Sequence, residues 1–296
     1  RFYDRNIKNF IQKLINKNNY QTIIFESIFT TIYLNKLEFK KTTKTILRAH
    51  NVEHKIWEDL AKNKTLKKFI FLFLATQIQK IENKIPKYLD YIFTLSKIDE
   101  TYFKNRFPKK TFNIPVTFQI KNKTEKKIKN SIFHLGSMDW KPNQEGVDWF
   151  LKNVRPTLEK QNIKIFIAGK NMPKQYFNYK NENTIIEGRI KNAEAYIKNK
   201  EILFVPLFSG SGIRIKILEA MALGIPVVST SKGAQGIPFT NGENILIADN
   251  SHTFKQAIID LIKNKNLAKK ISDNGKKLIT TYFSDKVVIN KLKKML

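Results

Sequence analysis

The chain has 296 residues, of which 42% are hydrophobic and 12% aromatic, and it carries 54 Lys and Arg against 25 Asp and Glu. This composition excludes fibrous, collagen-like and disordered chains, and the length predicts two domains, or one domain and part of another. The absence of cysteine from the sequence excludes disulfide frameworks, thiolate metal sites and cysteine nucleophiles, and it fits a reducing compartment.

The net charge of +29 has two interpretations. It could indicate a polyanionic partner, such as nucleic acid, an anionic membrane leaflet or a phosphorylated substrate. Alternatively, the lysines are scattered along the chain together with many Asn and Ile, as codon bias in an AT-rich genome would produce, and they form a solvated basic surface. Charge alone does not separate these interpretations.

The longest apolar run, Phe69 to Ala75, is far shorter than the ~20 residues that a membrane-spanning helix needs. It predicts a buried helix face. The first residue is Arg1, and no signal-peptide pattern follows it. We therefore expect the sequence to begin inside a longer protein.

In chain order, the first 120 residues predict a partial domain of alternating helices and strands. The predicted elements are a helix at 2–16, strands at 22–25 and 45–49, one long helix or a broken pair at 53–85, and a strand at 91–95. Three strands make a thin sheet, and no strand with a glycine-bearing turn precedes them. We expect either an unusual domain or the absence of about its first two βα units.

Residues 121–130 predict a linker, because five lysines stand among almost no apolar residues. From Ser131 to residue 283, short apolar runs alternate with amphipathic stretches, which is typical of a doubly wound parallel sheet. Strands are predicted at 132–135, 163–168, 184–187, 202–206, 227–229 and 245–248, and helices at 143–158, 193–199, 213–223, 253–263 and 267–280. Residues 284–296 predict a C-terminal helix that packs back on the N-terminal domain.

The most informative stretch runs from Pro206 to Thr230. A buried strand ends at Pro206, a turn of small residues follows at 209–212, and Gly224 and Pro226 end the helix that comes next. The apolar face of that helix consists of Ile213, Ile217, Leu218 and Met221. Free N–H groups at the start of a helix attract anions, and glycines let a phosphate approach closely. The turn therefore predicts an anion site at the carboxyl end of a strand.

Arg214 and Lys216 place two cations at the start of this helix, where the helix dipole makes them unfavourable without an anion. A bound diphosphate would explain them. The alternative is that both side chains project into water and that Lys216 pairs with Glu219 at i,i+3. Residue types alone leave the two interpretations level.

Residues 210–228 read Gly-Ser-Gly-Ile-Arg-Ile-Lys-Ile-Leu-Glu-Ala-Met-Ala-Leu-Gly-Ile-Pro-Val-Val, which resembles the nucleotide-sugar signature of family 4 (group 1) glycosyltransferases. Segments in the order of that family's donor domain are 133–143, 166–169, 186–189 and 233–244, and segments resembling its acceptor domain are 48–54 and 93–96. The likeness therefore extends over nearly all of the chain.

The resemblance implies an α/β fold of the GT-B type, with two Rossmann-like domains whose parallel sheets face a cleft, the N-terminal one being incomplete. It implies transfer of a sugar from a nucleotide-diphosphate sugar to a glycan or lipid-linked acceptor, with retention of configuration and without a metal or other cofactor. The implied setting is polysaccharide or cell-envelope biosynthesis in the cytoplasm. A peripheral contact of the basic surface and of residues 66–80 with an anionic inner membrane leaflet is a further expectation.

The resemblance also implies the site residues. His50, Arg214 and Lys216 would be catalytic, with His50 directed toward the donor sugar and the two cations on the diphosphate. The donor would further contact Gly136, Ser137, Gly169, Lys170, Gly188, Arg189, Gly210, Ser211, Gly212 and Glu219. Within this set, Glu219 would hold the ribose hydroxyls. The alternatives are that the strand-end glycines are plain turn residues and that Glu219 is solvated.

Two positions depart from the family pattern. Ser211 stands where many members carry a second glutamate, eight residues before Glu219, and Ser137 follows Gly136 where many carry an arginine. Neutralisation of the diphosphate would then shift to Arg214 and Lys216, which leaves the identity of the donor open.

The other histidines give weaker evidence of a functional site. His50 and His54 have helical metal-ligand spacing, but no third ligand is evident, so we predict no metal site. His134 and His252 look incidental. Two alternative functions remain. The chain could be a truncated relative that binds nucleotide without catalysis, or a basic nucleic-acid-binding protein. Against the second alternative, the sequence contains no recognisable nucleic-acid-binding motif.

Overall fold

The computed structural model describes residues 3–62, 67–120 and 127–295. By their contacts, the residues form two compact units. The first contains residues 1–115 together with 211–213, and the second contains residues 116–210 and 214–296. Each unit is built on one parallel sheet, so the predicted α/β fold class with two parallel sheets is confirmed.

The first unit contains four strands and four α-helices in the described residues. In chain order these are α1 (Arg5–Lys17), β1 (Thr22–Glu26), β2 (Lys44–Ala49), α2 (Glu53–Lys62), α3 (Lys68–Lys84), β3 (Tyr91–Thr94), α4 (Lys97–Lys104) and β4 (Thr111–Asn113). The strands lie in the order β1-β2-β3-β4, and all pairs are parallel. Leu47, Ile92 and Phe103 are fully buried at the centre of its core.

The prediction of three strands in this unit is wrong, because the structure adds β4 and, before it, α4. β4 is only three residues long, too short to show an alternating pattern, and it is placed by pairing with β3. α4 begins at a local signal, since Ser96 caps it by accepting a hydrogen bond from the Asp99 amide at 3.1 Å.

The stretch predicted as one long helix or a broken pair is the pair α2 and α3. Residues 63–66 between them lie outside the described residues, as does Phe2 of the predicted first helix. The prediction that the run from Phe69 to Ala75 is buried is wrong. Ala75 is buried, but Phe69 is 82% and Phe73 63% exposed. An apolar run reveals hydrophobicity, but not whether another element covers it.

The second unit is a doubly wound sheet. Its strands are β5 (Ser131–Leu135), β6 (Lys164–Ala168), β7 (Thr184–Glu187), β8 (Ile202–Val205), β9 (Val227–Ser229) and β10 (Leu246–Ile247). Its helices are α5 (Lys141–Asn153), α6 (Arg155–Glu159), α7 (Ala193–Lys198), α8 (Ile215–Ala222), α9 (Ser251–Lys263), α10 (Lys265–Tyr282) and α11 (Asp285–Lys293). The parallel order is β10-β9-β8-β5-β6-β7, so the winding reverses at β5. Ligands of such sheets bind at the carboxyl ends of the strands beside this reversal.

All six strands of the second unit lie within two residues of the predicted ranges. The helix predicted at 143–158 is divided into α5 and α6, which meet at Val154. Pro156 explains the break, because it has no N–H to donate to the preceding turn of a continuous helix. Beneath these helices the rings of Phe150 and Phe204 stack with centroids 4.0 Å apart.

The predicted linker is described only in part, and the predicted C-terminal helix is α11. Residues 121–126 are outside the described part of the chain. The contacts of α11 place it in the second unit, where the Phe118 amide donates to the Phe283 carbonyl at 2.8 Å and Gln119 donates to Asp285 at 3.2 Å. Among the residues that the structure describes, no helix is long and apolar enough to cross a membrane.

Candidate functional site

Three glycines stand at the carboxyl ends of adjacent strands in the second unit. Gly136 follows β5, Gly169 follows β6, and Gly188 follows β7. The Gly136 amide donates to the Ala168 carbonyl at 3.0 Å, and the Gly169 amide donates to the Gly188 carbonyl at 3.1 Å. The strand ends are thereby tied together along an edge without side chains, and a Cβ on Gly188 would meet no described atom within 4 Å.

The Lys216 ammonium lies over the end of β5. It donates to Asn143 Oδ1 at 3.1 Å, and it lies 2.6 Å from the position that a Cβ on Gly136 would take. Burial of the ammonium, followed by the nearby charge of Arg214, lowers the pKa of Lys216 to about 7. A cation in this place is unfavourable on its own and would be favoured by an anion.

Asn143 was missed in the sequence analysis as a site residue. It lies in the first turn of α5, is buried, and donates through Nδ2 to the Ser137 carbonyl at 2.8 Å. One amide therefore fixes both the turn after β5 and the Lys216 side chain. The signal in the sequence was a polar residue directly after the turn of a βα unit, but its partner Lys216 is 73 residues away.

Arg214 is the residue before α8 and is 6% exposed. Its guanidinium carbon lies 5.1 Å from the centre of the Trp140 ring, and Nη2 donates to the Ser209 carbonyl at 3.4 Å. Burial lowers the pKa of Arg214 to about 10, so it remains a cation at neutral pH. Stacking on an indole is a favourable way to hold a desolvated guanidinium.

The predicted turn of small residues before α8 contains two glycines with positive φ. Gly210 has φ +90° and Gly212 has φ +82°, both in the left-handed region that favours glycine. A Cβ on Gly210 would also lie 2.8 Å from Trp140 Cζ2. Ser211 lies between the two glycines and is half-buried.

The remaining predicted donor residues differ in exposure. Ser137 is half-buried and donates to Asp139, whereas Lys170 and Arg189 are exposed after β6 and β7. Glu219 is half-buried in the middle of α8 and lines a cavity of about 350 Å³. The structure thus brings Gly136, Lys216, Asn143 and Arg214 together, while Glu219 lines a cavity whose other walls are Thr117, Phe118, Gln119, Glu194, Ala222, Leu223 and Asp285.

In the first unit, His50 directly follows β2 and is 44% exposed. Its Nε2 lies 2.6 Å from Glu26 Oε2, and Arg48 Nη1 donates to Glu26 Oε1 at 3.1 Å. Partial burial raises the pKa of Glu26, but hydrogen bonds from His50 and Arg48 outweigh this effect and hold it below its usual value. Glu26 is not among the predicted site residues, because the predicted strand ended one residue before it.

His54 has a different environment. It is 3% exposed, and its Nδ1 lies 2.5 Å from Glu82 Oε2. Glu82 Oε1 also accepts from the Glu53 amide at 2.6 Å, which satisfies the start of α2. Within residues 3–62, 67–120 and 127–295, no three His, Asp or Glu side chains form a group that could hold a metal ion.

The chain is similar in sequence to one described protein family and to proteins of two organisms. Residues 129–264 match the family described as glycosyl transferases group 1. An uncharacterized protein from the cps region of Klebsiella pneumoniae is 26% identical over 293 residues, which cover 95% of this chain and 74% of that protein. An uncharacterized glycosyltransferase of Methanocaldococcus jannaschii is 30% identical over 153 residues, covering 49% of this chain and 43% of that protein.

A solved structure shares the fold. A point mutant of S. aureus TarM, in a complex with fondaparinux, alpha-GlcNAc-glycerol and UDP, superposes with a TM-score of 0.76 at 16% identity and covers 97% of this chain. This chain spans 57% of the length of TarM. The fold is that of the GT-B glycosyltransferases. The match over residues 129–264 confirms the resemblance to group 1 glycosyltransferases that the sequence showed.

Proposed function

We propose that this chain transfers a sugar from a nucleoside-diphosphate sugar to a glycan or lipid-linked acceptor, with retention of configuration, in polysaccharide or cell-envelope biosynthesis. The observation that carries this proposal is the Lys216 ammonium, held over Gly136 at the carboxyl end of β5 and partly desolvated beside Arg214. The UDP in the TarM complex and the cps region of the Klebsiella relative support the donor class and the setting.

In this proposal the diphosphate lies between the glycine edge and the start of α8. Lys216 and Arg214 neutralise its charge, and the amides of residues 210–212 donate to its oxygens. Glu219 holds the ribose hydroxyls. Gly136, Ser137, Gly169, Lys170, Gly188 and Arg189 line the path toward the base, and His50 contacts a hydroxyl of the substrate.

The proposed chemistry is electrostatic. As the bond between the sugar and the diphosphate breaks, negative charge accumulates on the leaving group, and fixed donors stabilise that charge without reorganising. Lys216 and Arg214 are suited to this because Asn143 and Trp140 hold them in place before the substrate arrives. We propose that these protein cations act here without a metal ion, since the sequence contains no Asp-any-Asp triplet to hold one.

The test is turnover of a panel of nucleotide sugars by the wild type and by Lys216→Met. Loss of one preorganised donor should lower kcat about 100- to 1,000-fold while the melting temperature is retained. Lys152→Met, which removes an exposed ammonium from α5, is the matched control and should turn over at the wild-type rate. Wild-type turnover by Lys216→Met would overturn the assignment.

We also propose a peripheral contact of the first unit with an anionic membrane. Phe69, Ile70 and Phe73 on α3 are 82%, 57% and 63% exposed, and Lys67 and Lys68 are exposed at its start. Large apolar side chains beside lysines suit the interface of an anionic leaflet. Leu66, the first residue of the predicted membrane segment, lies outside the described residues.

Flotation with vesicles that contain phosphatidylglycerol tests this contact, with pure phosphatidylcholine for comparison. We expect the wild type to float only with the anionic vesicles. A Phe69→Ser, Phe73→Ser double variant should remain at the bottom of the gradient, whereas Phe177→Ser, which changes an exposed ring of the second unit, should float. Equal flotation of both variants would contradict the contact.

A further inference from the structure

The carboxyl edge of the first sheet carries a cluster of three charged or titratable side chains. β1 and β2 are parallel with Glu26 directly beside Arg48, and His50 follows Arg48 by two residues. Side chains two apart in an extended chain share a face. The pairing of the strands therefore places Glu26, Arg48 and His50 on one face of the edge, with contacts of 3.1 and 2.6 Å.

The carboxylate determines which ring nitrogen of His50 carries the proton. Each Glu26 oxygen has one partner, Arg48 on Oε1 and His50 on Oε2. The hydrogen bonds from these two side chains keep the Glu26 pKa below its usual value despite partial burial, so the carboxylate is ionised near neutral pH. An ionised carboxylate only accepts hydrogen bonds, so the facing Nε2 must carry the hydrogen. In the neutral ring, Nδ1 is then the nitrogen with the lone pair.

The backbone after Glu26 is fixed in an unusual conformation. Ser27 has φ +77° and ψ 150°, a region that side-chain-bearing residues rarely adopt, and its amide donates to the Arg48 carbonyl at 3.0 Å. The chain therefore turns immediately after the carboxylate. Strained residues of this kind persist where the surrounding structure holds them, often beside functional sites.

The exposure of the cluster separates it from a purely structural pair. His50 is 44% and Glu26 48% exposed, so a substrate can reach the ring. The other histidine–carboxylate pair of this unit, His54 with Glu82, has side-chain exposures of 3% and 0%. Only the exposed pair can therefore present a ring nitrogen to a ligand.

We infer that Glu26 is the positioning carboxylate of His50: it fixes the imidazole in the Nε2–H tautomer and leaves Nδ1 to accept a hydrogen bond from a hydroxyl of the substrate. Arg48 holds the carboxylate from the other side. This inference rests on the proposed function for the identity of the substrate, but the arrangement of the ring does not depend on it.

The first measurement is the tautomer of the His50 ring by nitrogen-detected NMR of the whole chain. The sequence has four histidines, so His50→Gln assigns the signal. We expect the Nε2–H tautomer in the wild type and a mixture of tautomers in Glu26→Ala. Glu38→Ala removes an exposed carboxylate from the same unit and should leave the ring signals unchanged. A wild-type Nδ1–H tautomer, or an unchanged tautomer in Glu26→Ala, overturns the inference.

The second measurement is kinetic and uses the donor that the wild type turns over. Glu26→Ala should lower kcat about 100-fold, the cost of a misplaced catalytic group, with little change in the KM of the donor. Glu26→Asp, which keeps a carboxylate, should recover part of the loss. Wild-type kcat in Glu26→Ala overturns the role even if the tautomer changes. If the wild type turns over no donor, the proposed function fails, and the NMR measurement still decides the position of the proton.

Discussion

The carbonyl oxygen of Gly136 lies where residue 169 would carry a side chain: a Cβ built on Gly169 comes within 1.7 Å of it. The ends of β5 and β6 are therefore in backbone contact, which only a residue without a Cβ permits at position 169. Gly188, at the end of the next strand, is a matched contrast because a Cβ there would have no described atom within 4 Å.

We expect Gly169→Ala to move the turn after β5, which also carries the Ser137 carbonyl that accepts a hydrogen bond from Asn143 Nδ2. The substitution should lower the free energy of unfolding by about 1–3 kcal/mol, the usual cost of overpacking, and should weaken UDP binding. Gly188→Ala should change stability by less than about 0.5 kcal/mol. Urea unfolding and calorimetric titration with UDP measure the two effects. Equal stability of the two variants would show that the close approach is not required.

The turns before and after α8 could be predicted from the sequence because they need particular residues. Gly210, Gly212 and Gly224 have φ values of +90°, +82° and +70°, and each was placed at a turn or a helix end from composition alone. Local backbone constraints leave a record in residue type. β4 was not predicted, because three residues are too few to show a period and its place in the sheet comes from pairing with β3.

The cations of the candidate site could be predicted from the sequence, but the partners that position its side chains could not. Arg214 and Lys216 stand in a recognisable stretch, whereas Asn143 is 73 residues from Lys216, and Glu26 is 24 residues from His50. Such partners are determined by the order and register of strands, which a single sequence does not reveal. The exposure of Phe69 was missed for a related reason, since burial depends on what packs against a helix.

Binding of a diphosphate should be coupled to proton uptake at Lys216. In the ligand-free chain, burial and the charge of Arg214 lower the pKa of Lys216 to about 7, so its ammonium is increasingly deprotonated above that pH. An anion favours the ammonium, and binding above pH 7 must then take up a proton. The affinity for UDP should therefore fall up to about tenfold for each pH unit above 7.

Calorimetric titrations with UDP, in two buffers of different ionisation enthalpy, measure this uptake directly. Lys216→Met should bind more weakly and show none of the Lys216-linked uptake, while Lys152→Met should behave as the wild type does. Proton uptake that is identical in the wild type and in Lys216→Met would contradict the assignment of the titrating group.

Acid stability should depend on His134, which lies fully buried in β5 with Nδ1 3.2 Å from the Phe204 carbonyl. Burial, and then the charge of Lys216, hold the pKa of His134 well below 6.5. Below about pH 6.5 the unfolded chain therefore binds a proton that the folded chain does not. The free energy of unfolding should decrease as the pH falls, by up to about 1.4 kcal/mol per unit from this group.

His134→Gln keeps a donor for the Phe204 carbonyl and removes the titrating ring. Urea unfolding of this variant should show a shallower loss of stability below about pH 6.5 than the wild type does. His252→Gln, which changes an exposed histidine in the first turn of α9, should retain the wild-type slope. A wild-type slope in His134→Gln would assign the acid sensitivity to other groups.

The backbone conformation of Ser27, directly after Glu26, should lower the stability of the folded chain. A residue with a side chain at φ +77° and ψ 150° costs about 1–3 kcal/mol relative to an unstrained one, and glycine does not have this cost. The Ser27 hydroxyl contributes little stability, because its hydrogen bond from the Phe29 amide is long at 3.4 Å. Ser27→Gly should therefore raise the free energy of unfolding. The gain is reduced because glycine also increases the conformational entropy of the unfolded chain. Ser27→Ala, which loses the hydroxyl but keeps the Cβ, separates the two effects and should not be stabilised. If Ser27→Gly is less stable than Ser27→Ala in urea unfolding, the backbone at residue 27 is not strained.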